Sequence, residues 1–270
     1  MNFKYKLGVV GNPIEHSLSP LIHKKFAKNE NISIDYQAYK VEKGELNNFV
    51  KDFFSHAKAK GLNVTSPLKS EALNLGGVAS DESRHVKAVN TIIKQNKSLI
   101  LESTDGIGFI SDLMSKDISL QNKNVLIIGA GPAVESILYK IISKAPALIS
   151  IINRTQKKAD RLSERYKEGG LVRPFLEDID YDIVINGSSA GLTGESMETP
   201  NINLKQETIL YDLNYSLALT PFCRWALNYS DNVFDGTGML IYQAAHSFNH
   251  WFGIQPSTES VFKEIAGLKK

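Results

Sequence analysis

The amino-acid sequence predicts an α/β protein in which largely parallel sheets are covered by helices. Strand-like apolar runs alternate with helix-like runs along most of the 270 residues, and this alternation is typical of parallel sheets. The length suffices for one or two domains, each with its own core. A second α/β series begins near residue 105, which favours two domains.

The first series alternates regularly between the two kinds of element. Apolar periodicity predicts strands at 7–10, 34–41 and 62–65, and helices at 19–28, 45–58 and 69–75. Two further strands, at 89–93 and 99–102, flank the polar turn at 94–98 and are expected to pair with each other.

The second series has the same character. It predicts strands at 125–128, 148–152, 183–185 and 209–213, a weaker strand at 233–234, and helices at 136–143, 239–251 and 257–268. The last two helices follow the central series, so they either extend it or return to the first domain. Periodicity alone leaves both arrangements open.

Composition narrows the function classes. The 31 Lys and Arg residues nearly balance the 29 Asp and Glu residues, for a net charge of +2, whereas nucleic-acid-binding proteins usually carry a strongly basic face. The single cysteine, Cys223, permits no intrachain disulfide and fits a reducing compartment. The apolar run near the N-terminus is too short for a signal peptide, and no stretch approaches the ~18 apolar residues that are needed to span a bilayer. We therefore expect a cytoplasmic enzyme that binds neither nucleic acid nor membrane.

A glycine-rich turn follows the predicted strand at 125–128. In a dinucleotide-binding fold, the first glycine of such a turn permits a tight bend and the second lets a pyrophosphate approach the backbone, at a helix N-terminus with unpaired N–H groups. The residues expected at the phosphates are Gly129, Ala130, Gly131, Pro132 and Ala133. The third position of the fingerprint, usually Gly or Ala, is Val134, so the motif is incomplete.

The end of the next strand indicates which dinucleotide is bound. NAD enzymes place a carboxylate there for the ribose 2′-hydroxyl, whereas a basic residue accommodates the 2′-phosphate of NADP. This sequence has no carboxylate at that point but has Asn153, Arg154, Thr155 and Lys158. The Arg154 guanidinium is a planar fork suited to phosphate. We therefore predict NADP as the cofactor.

A pair of histidines suggests a metal site at first sight. His246 and His250 stand four residues apart, as zinc ligands on a helix often do. The glutamate of the zincin motif and a third ligand are missing from the surrounding sequence. We therefore expect both rings on the polar side of an amphipathic helix and predict no metal.

Polar residues cluster at the ends of several other predicted strands, where ligands gather in open α/β sheets. The segments are GNPIEHSLSPLIH (11–23), NVTSPLK (63–69), AVNT (88–91), STDGIGF (103–109), YDLNY (211–215), TPF (220–222) and GTGMLIYQA (236–244). Together with NRT at 153–155, these segments resemble the shikimate dehydrogenase family, in the family's order from about residue 8 to 253.

The resemblance implies an NADPH-dependent reduction of 3-dehydroshikimate to shikimate, in the biosynthesis of chorismate and the aromatic amino acids. It implies a discontinuous substrate-binding domain, 1–104 plus 237–270, around a Rossmann-like doubly wound domain, 105–236. Lys69 and Asp105 match the family's catalytic pair. A lysine ammonium can protonate or stabilise the alkoxide that forms when a ketone accepts a hydride, and a carboxylate can orient that amine.

The resemblance also assigns binding residues. Ser17, Ser19 and Tyr215 match the positions that hold the substrate carboxylate, Thr65, Asn90 and Gln243 match those that contact ring hydroxyls, and Gly236 and Met239 match cofactor contacts. The partner is then a small molecule, shikimate or 3-dehydroshikimate, and the protein a monomer or homodimer.

Each assignment has a structural alternative. Ser19 and Asp105 fit helix N-caps, Asn90 a turn, Tyr215 a half-buried packing position and Gln243 a helix surface. Two functional alternatives also stay open: a quinate/shikimate dehydrogenase with broader substrate and NAD use, and a non-catalytic NADP-binding sensor. The loop itself departs from the family at Pro132, Val134 and Glu135. Pro132 removes an N–H, and the Glu135 carboxylate would repel a nearby phosphate.

Overall fold

The computed structural model describes residues 4–167, 170–188 and 201–269. In chain order its elements are β1 Tyr5–Gly11, α1 Ser19–Asn29, β2 Ile34–Lys40, α2 Leu46–Ser55, β3 Ala59–Val64, α3 Lys69–Ala72, β4 Val78–Ala79, α4 Asp81–Val86, β5 Thr91–Gln95, β6 Ser98–Glu102, α5 Asp105–Ser115, β7 Asn124–Ile128, α6 Pro132–Ile142, β8 Leu148–Ile152, α7 Gln156–Arg165, β9 Val172–Pro174, β10 Ile183–Asn186, β11 Ile209–Asp212, α8 Pro221–Ala226, β12 Val233–Phe234, α9 Thr237–Phe252 and α10 Glu259–Leu268.

The chain divides into two compact units, and the three divisions fall inside α5, α9 and α10. The first unit is Met1–Phe109 with Leu240–Ala266, and the second is Ile110–Met239 with Gly267–Lys270. Each unit contains one six-stranded sheet. The predicted α/β class is confirmed.

The first unit has a mixed sheet in the order β2-β1-β3-β5-β6-β4. Strand β1 pairs in parallel with β2 and β3, whereas β5 is antiparallel to both β3 and β6. The predicted pairing of the strands around residues 94–98 is confirmed, and its tight turn places Asn96 in the left-handed region at φ 56°. Helices α9 and α10 pack on α1 around Phe26, Ile241 and Phe248. The C-terminal helices therefore form part of the first unit's core.

The second unit has an entirely parallel sheet in the order β12-β11-β10-β7-β8-β9. Counted from β7, this is the 3-2-1-4-5-6 order of the Rossmann fold, in which the chain reverses its winding direction between β7 and β10. Ligands in such sheets bind outside the carboxyl ends of the strands at that reversal. The loops after β7, β8, β10 and β11 are therefore the candidate ligand-binding loops of this unit.

The sequence predictions differ from the structure mainly at element ends. The helix predicted at 45–58 ends at Ser55, because Ala59 already pairs with Lys6 of β1 and strand pairing overrides the local helical pattern. The helix predicted at 69–75 ends at Ala72, and α6 begins at Pro132, four residues earlier than predicted. Five short or strongly polar elements were not predicted, namely β4, α4, α7, β9 and α8, and no range was predicted for α5. No helix in the described ranges is both long and apolar enough to cross a membrane.

Candidate active site

Lys69 and Asp105 form an ion pair at the carboxyl edge of the first unit's sheet. Lys69 is the first residue of α3, after β3, and Asp105 is the first residue of α5, after β6. Lys69 Nζ lies 2.7 Å from Asp105 Oδ2, and the two side chains are 23% and 6% exposed. The ammonium is thus held by a buried carboxylate on one side and remains accessible on the other. Asp105 is paired with Lys69 and lies inside α5 as its first residue, so it is not simply a helix cap.

Asn90 holds Asp105 in position. Its Nδ2 lies 2.9 Å from Asp105 Oδ1, 2.9 Å from Thr104 Oγ1 and 3.1 Å from Gln243 Oε1. Its Oδ1 accepts a hydrogen bond from the Thr104 backbone N–H at 2.8 Å. Asn90 is 2% exposed, so it is a buried junction and not a solvated turn residue. The same contacts draw Gln243, from α9, towards Asp105.

A second layer of buried polar groups lies behind Asn90. Asn63 accepts a hydrogen bond from Tyr36 Oη at 2.7 Å, and its Nδ2 donates to the Asn90 carbonyl at 3.1 Å and to Ser247 Oγ at 3.1 Å. Thr91 Oγ1 lies 2.7 Å from Ser247 Oγ. Sequence reasoning missed Tyr36, Asn63, Thr91, Thr104 and Ser247. The signal available was Asn63 itself, a polar residue inside a buried strand, which must find partners.

Ser17, Ser19 and Thr65 lie at the same edge. Ser17 and Ser19 follow β1 and Thr65 follows β3; because these strands are parallel neighbours, their carboxyl ends meet. A Cβ built on Gly11 at the end of β1 would lie 2.4 Å from Thr65 Cγ2, so the two strand ends are in close contact. The interpretation of Ser19 as a helix cap is wrong, because Leu18 occupies the N-cap position. The Ser19 hydroxyl is therefore not needed to start α1.

Tyr215, Gly236 and Met239 belong to the second unit. Tyr215 follows β11 and is 37% exposed, and burial of its hydroxyl raises its pKa. Gly236 is packed so tightly that a Cβ there would lie 2.3 Å from the Leu213 carbonyl oxygen. Met239 is partly buried in the first turns of α9.

The glycine loop between β7 and α6 has the geometry expected of a phosphate-binding turn. Gly129 adopts φ +112°, in the region that favours glycine, and packs against the backbone of Gly187. A Cβ on Gly131 would meet nothing within 4 Å, so space is open in front of the loop. Pro132 begins α6, where its missing N–H leaves no helical bond unmade. Val134 is fully buried and packs against Gly187. A Cβ built on Gly187 would lie 2.3 Å from Val134 Cγ2.

The loop after β8 is tied to the glycine loop by Asn153. Asn153 Oδ1 accepts a hydrogen bond from the Ala130 N–H at 3.2 Å, and Nδ2 donates to the Thr155 carbonyl at 2.9 Å. Arg154, Thr155 and Lys158 are exposed at the start of α7, and the Thr155 side chain makes no capping bond. Open space at Gly131 and this cluster of donors fit a nucleotide carrying several phosphates.

A buried carboxylate organises the neighbouring strand ends. Asp212, 1% exposed at the end of β11, accepts hydrogen bonds from Asn186 Nδ2 at 2.9 Å, Thr220 Oγ1 at 2.7 Å and Asn214 Nδ2 at 2.8 Å. Burial raises its pKa, and these hydrogen bonds partly oppose that shift. Asn214 also donates to the Ser188 carbonyl at 2.8 Å. The loops after β10 and β11 are thereby joined, which sequence reasoning did not foresee.

The two histidines on α9 do not gather further ligands. His246 is partly exposed and His250 is exposed. Across residues 4–167, 170–188 and 201–269, no group of three or more His, Cys, Asp or Glu side chains is arranged to hold a metal ion.

Comparisons with known proteins connect these features. Residues 9–92 match the model of the shikimate dehydrogenase substrate binding domain. Residues 112–213 match that of shikimate / quinate 5-dehydrogenase, and residues 236–261 match that of the shikimate 5′-dehydrogenase C-terminal domain.

Individual relatives are similar over nearly their whole length. The shikimate dehydrogenase (NADP(+)) of Colwellia psychrerythraea is 37% identical over 266 residues, covering 97% of this chain and 96% of the relative. The crystal structure of an Ael1 enzyme from Pseudomonas putida is 32% identical, with a TM-score of 0.87 over 97% of this chain and 98% of that one. The shikimate 5-dehydrogenase of Thermus thermophilus, in complex with NADP(H) and shikimate, is 27% identical, with a TM-score of 0.88 over 98% and 99% of the two chains.

Proposed function

This chain belongs to the shikimate dehydrogenase family, and from that membership we propose that it reduces 3-dehydroshikimate to shikimate, reversibly, with NADPH. The enzyme is an NADP-dependent oxidoreductase acting on a CH–OH group. The observation that carries the proposal at the level of residues is the Lys69–Asp105 ion pair, held by Asn90 in an otherwise buried polar network.

Lys69 and Asp105 are the proposed catalytic pair. NADPH, when bound, supplies the hydride to the ketone carbon, and negative charge then develops on the carbonyl oxygen. The role that we propose for the Lys69 ammonium is to donate to that oxygen, where it stabilises the charge and delivers a proton. Asp105 holds the amine at 2.7 Å and so fixes the direction from which it donates. In the reverse reaction, the same amine receives the proton from the hydroxyl.

Neutral donors are proposed to hold the substrate. Ser17 and Ser19 are assigned to its carboxylate, with Tyr215 as a further donor, and Thr65, Asn90 and Gln243 to its ring hydroxyls. Hydroxyl and amide groups provide directed hydrogen bonds without a fixed ion pair. The clustering of Ser17, Ser19 and Thr65 at one sheet edge supports this assignment.

The second unit is proposed to bind NADP. The phosphates are assigned to the loop from Gly129 to Ala133, the 2′-phosphate to Arg154, Thr155 and Lys158, and further cofactor contacts to Asn153, Gly236 and Met239. The domain division that we propose is 1–104 plus 237–270 for substrate and 105–236 for cofactor. A cytoplasmic location, the absence of a nucleic-acid partner and a monomeric or homodimeric state complete the proposal.

Two substitutions test the two halves of this proposal in steady-state assays that follow NADPH absorbance with shikimate and NADP. Lys69→Ala should lower kcat by about 10²- to 10⁴-fold, the usual contribution of a general acid, and leave NADPH binding unchanged. The exposed Lys97 provides a matched control, since Lys97→Ala removes a lysine of the same unit outside the site. Retained turnover in Lys69→Ala would contradict the catalytic assignment.

Arg154→Ala should weaken NADPH binding by about 10- to 100-fold, because a charge-assisted hydrogen bond is worth roughly 1.5–3 kcal/mol. NADH lacks the 2′-phosphate, so its binding should change little. Equal losses of affinity for NADPH and NADH would contradict the assignment of Arg154 to the 2′-phosphate. Wild-type protein assayed with quinate and NAD tests the broader-specificity alternative, and cofactor binding without any turnover would indicate a sensor.

A further inference from the structure

A carboxylate stands in the first turn of the helix that we assign to the NADP pyrophosphate. Helix α6 begins with Pro132 after the N-cap Gly131, and Glu135 is the acidic residue of its first turn, donating its N–H to the Gly131 carbonyl at 3.1 Å. A negative side chain there interacts favourably with the helix dipole in the free protein. Once a phosphate binds at the same helix end, however, the two negative charges repel each other.

The structure gives this carboxylate a partner from the next helix. Arg165, the last residue of α7, places Nη1 3.0 Å from Glu135 Oε2, and the two side chains are 26% and 34% exposed. The Arg165 guanidinium also lies 5.3 Å from the centre of the Tyr166 ring, at cation–π distance. The partner is therefore a partly buried arginine that also contacts an aromatic ring.

We propose that Arg165 determines cofactor affinity by neutralising Glu135, without itself being needed at the phosphates. The proposal rests on the proposed function, because it takes the loop from Gly129 to Ala133 as the pyrophosphate site. With Arg165 in place, the pair carries no net charge and the helix dipole can act on the pyrophosphate. Without Arg165, the unpaired Glu135 charge opposes the same phosphates.

An interaction between partly exposed charges is worth up to about 1 kcal/mol, which corresponds to about a fivefold change in Kd. The alternative role for the pair is a simple tie between α6 and α7. Such a tie between partly exposed groups contributes little to folding, and its loss would have the same effect whether the arginine or the glutamate is removed. The two roles therefore predict different effects on NADP binding when Glu135 is replaced in a variant that already lacks Arg165.

A double-mutant cycle on the full chain separates them. The Kd of NADP is measured by calorimetry for the wild type, Arg165→Gln, Glu135→Gln and the double variant, at low and high salt. We expect Arg165→Gln to weaken NADP by about fivefold at low salt and by less at high salt, where charges are screened. Glu135→Gln should bind at least as tightly as wild type, and the double variant should return to within about twofold of it. Arg165→Lys keeps the charge and should bind like wild type.

Two outcomes would overturn the proposal. Wild-type affinity in Arg165→Gln would show that Glu135 does not disturb the phosphates. A double variant as weak as Arg165→Gln would show that Arg165 acts directly or through the fold, and thermal unfolding of each variant distinguishes those two cases. Arg154→Ala is measured in parallel, so that a failure of this proposal can be told apart from a failure of the proposed function. If Arg154→Ala binds NADP like wild type, the assignment of the cofactor site itself is wrong.

Discussion

His23 should make the first unit lose stability as the pH falls below neutrality. This histidine of α1 is fully buried, and neither ring nitrogen has a hydrogen-bond partner in the described part of the chain. Its ring stacks on Tyr36, with centroids 4.5 Å apart, and lies 5.1 Å from the Trp251 ring. Burial in this apolar and aromatic surrounding lowers its pKa from 6.5 to about 3, because a charged imidazole would lose its hydration.

The sign and size of the effect follow from linkage. The folded-state pKa lies below the unfolded-state pKa, so the contribution of His23 is fully present above pH 6.5 and is lost as the pH falls towards 3. At pH 5 the His23 imidazole is protonated in the unfolded chain and neutral in the folded protein. A difference of about 1.5 pH units at about 1.4 kcal/mol each gives a loss of roughly 2 kcal/mol relative to pH 8.

Urea unfolding at pH 8, 7, 6 and 5 measures this loss. Trp251 packs against His23, and in a Trp225→Phe background it is the only tryptophan and reports on the first unit. His23→Leu, in that background, removes both unpaired nitrogens at similar volume, so it should be as stable as its parent at pH 8 and about 2 kcal/mol more stable at pH 5. His250→Gln alters an exposed histidine and should keep the parent's pH dependence. An unchanged pH slope in His23→Leu would refute the reasoning.

Two further substitutions probe packing beneath the two proposed sites. Tyr36→Phe keeps the ring but removes the hydroxyl that donates to Asn63 at 2.7 Å, so urea unfolding should show a loss of about 1–3 kcal/mol from the unsatisfied buried acceptor; stability equal to wild type would contradict this. Gly187→Ala would place a Cβ 2.3 Å from Val134 Cγ2, and because valine in a helix has essentially one rotamer, we expect a loss of about 1–3 kcal/mol in thermal unfolding. Adding Val134→Ala to this variant should recover part of the lost stability. No recovery would show that Val134 is not the residue that the new Cβ meets.

Three residues that seemed to weaken the dinucleotide motif, Pro132, Val134 and Glu135, are each accommodated by the structure. Pro132 occupies the first position of α6, where no helical hydrogen bond is lost. Val134 fills the space beside Gly187, which has no side chain of its own. Glu135 is paired with Arg165, 30 residues later in the chain. Each compensation comes from a distant residue or from helix position, so the motif alone could not reveal it.

The contact between Lys69 and Asp105 could not be predicted from the sequence, although both residues could. The resemblance singled out Lys69 and Asp105, but 36 residues separate them and no local pattern states that they touch. The contact arises because the strands that precede them, β3 and β6, flank β5 in one sheet and end at neighbouring points. Asn90 meets Gln243 across 153 residues for the same kind of reason, since α9 belongs to the first unit's core.

By itself, the sequence determined the α/β class, most of the strands and helices, the glycine turn after β7 and the basic residues after β8. These features are local, because periodicity, turn chemistry and motif spacing are all set within a few residues. The tertiary structure alone decided the mixed strand order of the first sheet, the second polar layer from Tyr36 to Ser247, and the partners of Glu135 and Asp212. Those depend on which distant segments pack together, and a buried polar side chain takes whichever partner that packing supplies.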